Sequence, residues 1–407
     1  MHDMVSLANP YATLSGSMVA ETSPRVAIFR STLLPSSETF IAAQATALRR
    51  WRPVLIGHRR VANGLPLTGL ESRICASPLL AARALLRSCQ FANIPHAPSR
   101  RAFTEINPEL IHIHFGTDAT EIWPSISTLR KPVLITLHGY DVMVAHEWWA
   151  ASHGGFIHRR YFERLRKLAD NPRVAFLAVS QAIRNRAIDV GLPAEKISVH
   201  GIGIDTSFFR PDESSLLTKR SRRVLFVGRL VEKKGVAYLI RAFEHVRRLV
   251  DDAELTIVGD GPLRTSLEAM ARSRNLPIEF LGNISPSDVR RELARCRVLC
   301  LPSVTAANGD AEGFGLVLLE AQASGIPVVT SARGGAEEGI EDARSGFRIE
   351  ERDEATMIEK LRMLLIDDEL ATRMSKAAVL FARNRFDLAK CTLELETIYD
   401  RHIGCGE

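Results

Sequence analysis

From Pro24 onward the chain repeats one pattern: a short, nearly continuous apolar run rich in β-branched residues, a turn, then a segment with apolar positions at helical spacing. In the first half the runs fall at residues 26–29, 54–56, 110–115, 133–137, 174–179 and 197–199, with helical stretches such as 36–50 and 158–168 between them. The second half repeats this at 224–228, 255–259, 278–282, 298–301 and 327–330. Strands without polar alternation are buried on both faces, and their alternation with helices predicts parallel sheets covered on each side. The chain therefore reads as α/β, two Rossmann-like doubly wound parallel-sheet domains of similar size. Ligands of such sheets collect beyond the carboxyl ends of the strands. Two units facing one another would put the site in a central cleft.

A length of 407 residues fits two domains. Residues 1–23 read as a loosely ordered extension and 24–210 as the N-terminal domain. Residues 211–223 read as a linker, because Pro211, serines and charge pairs occur there without periodicity. The C-terminal domain is then 224–385. Three helical segments close the chain, and the last, within 386–407, can return to the first domain. A share of 46% apolar and 25% charged residues excludes long disorder, collagen-like repeats and disulfide scaffolds.

Charge divides unevenly. Residues 1–210 hold 24 Lys/Arg against 15 Asp/Glu, a net of +9, and residues 211–407 hold 29 against 32, a net of −3. The basic half predicts a polyanionic or membrane-surface partner. Its clusters are Arg49, Arg50 and Arg52, then Arg59 and Arg60, then the aromatic, basic segment 158–167. Two readings stay open: contact with anionic headgroups or a lipid-linked diphosphate acceptor, or solvated arginines on packing helices. Nucleic acid is not expected, since no recognition helix, zinc finger or stacking strand accompanies the charge.

Six cysteines without a C-x-x-C pair predict a reducing, cytoplasmic setting. Cys296 and Cys300 read as buried thiols rather than zinc ligands. There is no run of eighteen apolar residues, and the uncharged stretch 4–20 contains Pro10 and follows no Lys or Arg, which does not fit a signal peptide.

The chemistry concentrates in two places of the second half. In the segment 309–320, Gly313 and Gly315 precede a helical apolar run, so unhindered amides and the positive end of a helix dipole offer an anion site. Glu312 stays in the loop. Glu320 lies eight positions on, in an apolar stretch where an idle carboxylate would be expensive. One carboxylate can thus reach ribose hydroxyls and the other a group beyond the phosphates. Upstream, Arg229 follows the strand at 224–228 and Lys234 opens a helix, natural places for cations that grip a diphosphate. A P-loop is excluded, because Gly228 is followed by no second glycine before the lysines.

Together these features resemble the retaining nucleotide-sugar glycosyltransferases of family 4, which have the GT-B fold. The resemblance covers nearly the whole chain after Pro24. It rests on Val227-Gly228-Arg229-Leu230 with Lys234-Gly235, on residues 258–263 (V-G-D-G-P-L), on Phe280-Leu281-Gly282, on Pro302-Ser303 with the Glu312 to Glu320 spacing, and on Pro327-Val328-Val329 and Gly334-Gly335. It implies Arg229 and Lys234 on the donor diphosphate and Glu320 on the ribose. The backbone of Gly313, Phe314, Gly315 and Leu316 would cradle phosphate or sugar, Glu312 would contact sugar hydroxyls, and Leu281 and Gly282 would lie near the base.

In the first half, His138-Gly139-Tyr140-Asp141 resembles the family's H-G-x-D segment, whose histidine faces the transferred sugar, and residues 112–116 resemble its H-x-H-F-G strand end. Position lifts His138 above an ordinary core histidine. A metal is not expected, because no carboxylate or third histidine is spaced beside His112 and His114 and there is no D-x-D motif. Pro35-Ser36-Ser37-Glu38-Thr39-Phe40 starts a helix that Ser36 or Ser37 can cap. It lacks the glycine-rich turn of many members and looks like the colanic acid and amylovoran subgroup.

The expected activity is transfer of a hexose from a nucleoside-diphosphate sugar, UDP- or GDP-linked, to a saccharide acceptor, lipid-linked, without a further cofactor. His138, Glu312, Arg229 and Lys234 carry the chemistry. Front-face attack with retention is preferred to double displacement through a carboxylate. A non-catalytic sugar-nucleotide scaffold and a nucleotide-sugar epimerase are the alternatives. The expected place is the cytoplasm, peripheral on the inner face of the cell membrane.

Overall fold

The computed structural model describes residues 20, 22–35, 38–62, 64–212 and 217–404. Most of the expected extension, together with Ser36 and Ser37, lies outside the described residues. Two compact units divide the chain: one runs to Gly203 and takes in the last helix, and the other is Ile204–Asp387.

The first unit holds a parallel sheet of strands β1 (Arg25–Phe29), β2 (Arg52–Gly57), β3 (Glu71–Ile74), β4 (Leu110–His114), β5 (Val133–Leu137), β6 (Val174–Ala178) and β7 (Ile197–Val199), in the order β3-β2-β1-β4-β5-β6-β7. One row crosses it as Leu55, Ile28, His112, Leu134 and Ala175. The row faces a core built with Ile41, Ala42 and Ala45 of helix α1 (Thr39–Ala47). Helix α2 (Leu80–Ala92) lies between β3 and β4 in the chain.

The second unit holds β8 (Arg223–Val227), β9 (Glu254–Val258), β10 (Ile278–Gly282), β11 (Val298–Leu301), β12 (Val328–Thr330) and β13 (Gly346–Arg348), in the order β10-β9-β8-β11-β12-β13. Helices α3 (Val236–Leu249) and α4 (Leu316–Ala323) follow β8 and β11. Helix α5 (Leu388–Gly404) belongs with the first unit, where Leu395 and Tyr399 join the core beneath α1. In both sheets the chain reverses strand order beside the first strand, so each has a switch point at the carboxyl ends of two neighbours: β1 and β4, and β8 and β11.

The strands agree with the apolar runs, and three differences have physical causes. First, β3 and β13 were not expected: they are edge strands, short and half polar, with no apolar run to give them away. Second, the helix expected at 36–50 stops at Ala47, because the amides of Arg49, Arg50 and Trp51 donate at 2.7, 2.6 and 3.2 Å to Glu396 on α5. The helix expected at 158–168 begins at Tyr161, with His158 in the preceding turn. Third, where described, the stretch expected as a linker at 211–223 is tied into the second unit. Arg222 pairs with Asp252 at 2.8 Å, Arg223 with Glu254 at 2.9 Å, and Leu217 is buried. That unit starts earlier, where the Ile204 amide donates to Phe386 at 2.8 Å and Phe209 enters the core. Polarity marked the stretch as loose, but Arg222 and Arg223 have partners. Residues 213–216 lie outside the described ones.

Candidate functional site

In the second unit, Lys234 ends a short helical turn, Glu232–Lys234, and Gly235 then starts α3. Gly235 has φ +63°, and a Cβ there would lie 1.8 Å from the Pro302 carbonyl oxygen, so only glycine lets the Lys234 turn press against the end of β11. The Lys234 ammonium meets the Glu312 carboxylate in an ion pair, and Ser303 Oγ donates to the same oxygen at 3.4 Å. Burial pushes the Glu312 carboxyl up, but Lys234 and Lys233 outweigh it and hold the group below its ordinary range. Lys233, which the sequence reading passed over, reaches Asp310 at 3.0 Å, and Glu232 accepts from the Ala307 amide at 3.2 Å. The run E-K-K thus fastens the loop 303–312 at three points. Its match with G-D-A-E across the switch point was the signal available in the sequence.

After Glu312, Gly315 takes a left-handed conformation and caps α4. The amides of Phe314, Gly315 and Leu316 donate to no partner among the described residues, the ordinary state of a helix N-terminus awaiting an anion. On the second turn Glu320 is half-buried and makes no side-chain hydrogen bond or ion pair among the described residues. Burial alone pushes its carboxyl up to about 7. Arg229 is exposed beyond the end of β8 and is likewise without a described ion pair. Leu281 and Gly282 end β10, two strands from the switch point, and connect back through the Gly259 amide, which donates to the Gly282 carbonyl at 2.8 Å. Lys234, Glu312 and the Gly313–Leu316 backbone are thus gathered at β8 and β11, with the Leu281-Gly282 turn set to one side.

In the first unit, His138 follows β5 in a turn held by Asp141. That buried carboxylate accepts from the amides of Gly139 at 2.9 Å, His138 at 3.0 Å and Gly116 at 3.0 Å. Gly139 has φ +122°, a conformation that suits glycine. The aspartate of H-G-x-D is therefore the staple of the turn, and the half-buried histidine is what the turn positions. His138 Nε2 lies 2.9 Å from His114 Nδ1, and Nδ1 of His138 and Nε2 of His114 are buried without partners. Burial, with Arg30 and His112 nearby, drives the His138 pKa well below its ordinary value, so the ring is uncharged. Phe115, with φ +72°, packs its ring 4.5 Å from that of His138 and 4.3 Å beneath the Arg30 guanidinium.

His112 is a different case. Its ring nitrogens contact Tyr399 Oη and Thr136 Oγ1, each at 2.6 Å, and burial lowers its pKa to about 3. It is a neutral core group that ties α5 to the sheet. Among the described residues no three His, Cys, Asp or Glu side chains are grouped so as to hold a metal ion. Cys296 and Cys300 are buried free thiols, and burial pushes Cys296 up to about 12.

The basic clusters of the first half are partly neutralised. Arg50 pairs with Glu396 and Asp400, Arg52 with Glu71, and Arg160 with Glu163, while His158 turns inward to Glu121 at 3.0 Å. No described helix is long and apolar enough to cross a membrane.

Two parallel-sheet α/β units, the second with an anion-ready helix start beside its switch point, make an architecture of GT-B type. Two family models adjoin along the chain, Glycosyltransferase Family 4 over residues 37–208 and Glycosyl transferases group 1 over residues 209–380. The chain belongs to the family 4 glycosyltransferases. Among its relatives, the amylovoran biosynthesis glycosyltransferase AmsK of Erwinia amylovora is 35% identical over 252 residues, 60% of this chain and 58% of that one. The GDP-mannose-dependent alpha-(1-6)-phosphatidylinositol monomannoside mannosyltransferase of Mycobacterium tuberculosis is 32% identical over 223 residues, 52% of this chain and 58% of that one. The chain thus spans 58% of the length of these curated relatives. In fold it matches Anabaena Alr3699/HepE in complex with UDP and glucose, with a TM-score of 0.75 at 19% identity over 93% of this chain and 99% of that one. Sucrose-phosphate synthase from Thermosynechococcus elongatus matches with a TM-score of 0.74 at 17% identity over 94% of this chain and all of the other.

Proposed function

We propose that the chain is a retaining glycosyltransferase that moves a hexose from a nucleoside-diphosphate sugar to a saccharide acceptor, lipid-linked, in the assembly of an exopolysaccharide or another cell-surface polysaccharide. The observation that carries the reading is the set of polar groups at one end of the second sheet that have no partner among the described residues: the amides at the start of α4, Glu320 and Arg229. A nucleoside diphosphate answers each of these, with phosphate on the amides and on Arg229 and ribose hydroxyls on Glu320. Lys234 completes the set once diphosphate shares it with Glu312, and Glu312 is then free to accept from sugar hydroxyls.

In this reading the acceptor hydroxyl attacks on the face from which the diphosphate departs. Arg229, Lys234 and the amides around Gly315 stabilise the charge gathering on the leaving group. His138, uncharged, offers a hydrogen bond to a sugar hydroxyl without adding charge. No resident cofactor or metal is part of the proposal, since lysine and arginine supply the positive charge on the diphosphate. Relatives and fold neighbours are named for both GDP-mannose and UDP, so the donor class proposed is UDP- or GDP-linked. The proposed place is the cytoplasm, peripheral on the inner face of the cell membrane.

Incubation with a panel of UDP- and GDP-sugars, with and without a membrane lipid extract, tests the reading. Free nucleoside diphosphate released only when lipid is present is the expected result. A new sugar nucleotide formed without acceptor would make the chain an epimerase, and binding without turnover in every arm would make it a scaffold.

A further inference from the structure

Helix α2 of the first unit turns an apolar face outward. Leu80 is 82% exposed, Phe91 68% and Leu85 55%, with Leu79 just before the helix at 70%, whereas Cys89 is its one buried side chain. Leu80, Ala84 and Phe91 fall on one stripe at helical spacing, and Arg83 and Arg87 border it. A helix that exposes large apolar side chains beside cations has the composition of one that lies in a membrane interface.

The same two arginines line a cavity of about 640 Å³. Arg59 and Arg60, from the segment after β2, bring two more guanidiniums to it, and Val61, Ile74 and Leu86 give it apolar wall. None of the four arginines forms an ion pair with a described carboxylate; Arg59 donates to Thr32 Oγ1 at 2.9 Å and Arg60 to the Leu65 carbonyl at 2.6 Å. Among the described lining residues Glu121 is the one carboxylate. It is already engaged, by His158 at 3.0 Å, Gln90 at 2.7 Å and Ser31 at 3.2 Å. The cavity therefore carries cationic charge that the unit does not balance, next to apolar surface that it does not cover.

We infer that α2 and this cavity form a binding site for a membrane-borne lipid phosphate. The phosphate is gripped by Arg83, Arg87, Arg59 and Arg60, whose forked donors suit its oxygens, and the hydrocarbon runs along Leu80 and Phe91. Free phosphate would leave the apolar face unused, and a flat bilayer charge would leave the cavity unfilled. The inference rests on the proposed lipid-linked acceptor and names the residues that hold it.

Flotation of the full chain with phosphatidylcholine vesicles tests it, the vesicles carrying a polyprenyl phosphate, phosphatidylglycerol at matched charge, or neither. No sugar nucleotide is present, so failure here is read separately from failure of donor turnover. Binding to polyprenyl phosphate vesicles is expected to exceed binding to phosphatidylglycerol vesicles about tenfold, and R83A/R87A is expected to lower it about tenfold. The exposed pair L80S/F91S, which touches no core, should lower it as well. Equal binding to both anionic vesicles would reduce the site to a general charged surface, competition by inorganic phosphate with unchanged binding by L80S/F91S would reduce it to an anion pocket, and unchanged binding by both variants would overturn it.

Discussion

The two sheets share one strand order beside their switch points, yet they treat those points in opposite ways. In the first unit Arg30, just past β1, is closed in by Asp118 at 2.6 Å and by Glu38 at 2.8 Å. Burial works against the charge of Arg30, and the two carboxylates outweigh it, raising the guanidinium pKa further; burial in turn pushes Asp118 and Glu38 upward against the pull of Arg30. Charge there is consumed internally. In the second unit one ion pair, Lys234 with Glu312, stands beside amides, a carboxylate and an arginine without described partners. Topology puts a crevice in both places, and the two differ in whether the groups just past the strand ends have already answered one another's charges.

The largest effect that can break this comparison is on stability. Arg30→Met strands two buried carboxylates and is expected to cost about 3–5 kcal/mol of folding free energy, measured by urea unfolding. Binding of UDP or GDP, proposed for the second unit, should not change in the folded fraction. A loss below about 1 kcal/mol would place Arg30 among surface ion pairs and remove the contrast. Next comes Lys234→Ala, expected to lower donor turnover about 100- to 1,000-fold through lost stabilisation of the departing diphosphate. Nucleotide release at saturating donor is the measurement, and unchanged release would detach Lys234 from the diphosphate.

Some of this was plain from the sequence and some could not be. Apolar runs located eleven strands because burial on both faces leaves one signature, and E-x7-E with its glycines located the start of α4. The edge strands Glu71–Ile74 and Gly346–Arg348 have no such signature, since the first has one apolar residue in four and the second only Phe347 as a large one. Pairings over long separations are equally silent: no period in the chain connects Tyr399 to His112, or Glu396 to the amides after α1. Nor could spacing tell that Lys234 and Glu312, read as serving phosphate and sugar separately, hold each other. Helix α2 escaped notice for the opposite reason, because a sequence read for what is buried passes over apolar residues left outside.

The smallest effect is the sharpest test, because it acts on a group that the second unit leaves idle. The Glu320 carboxyl stands at about 7 in the folded chain against an ordinary 4.5. A raised carboxyl pKa means that the folded state holds its proton more tightly than the unfolded state. The contribution of Glu320 to stability is therefore full below about pH 4.5 and is lost as pH rises through about 7. Glu320→Gln cannot lose that proton, so its stability relative to the natural chain should rise between those limits, by up to about 3 kcal/mol at alkaline pH. Nucleotide binding should move the other way. Ribose hydroxyls donate to the ionised carboxylate, so the natural chain should bind donor more tightly as pH rises from about 6 to 8, while Glu320→Gln should bind about tenfold more weakly with a flat profile. If both chains showed the same pH dependence, the carboxylate would be buried without being used, and the second crevice would be no more open than the first.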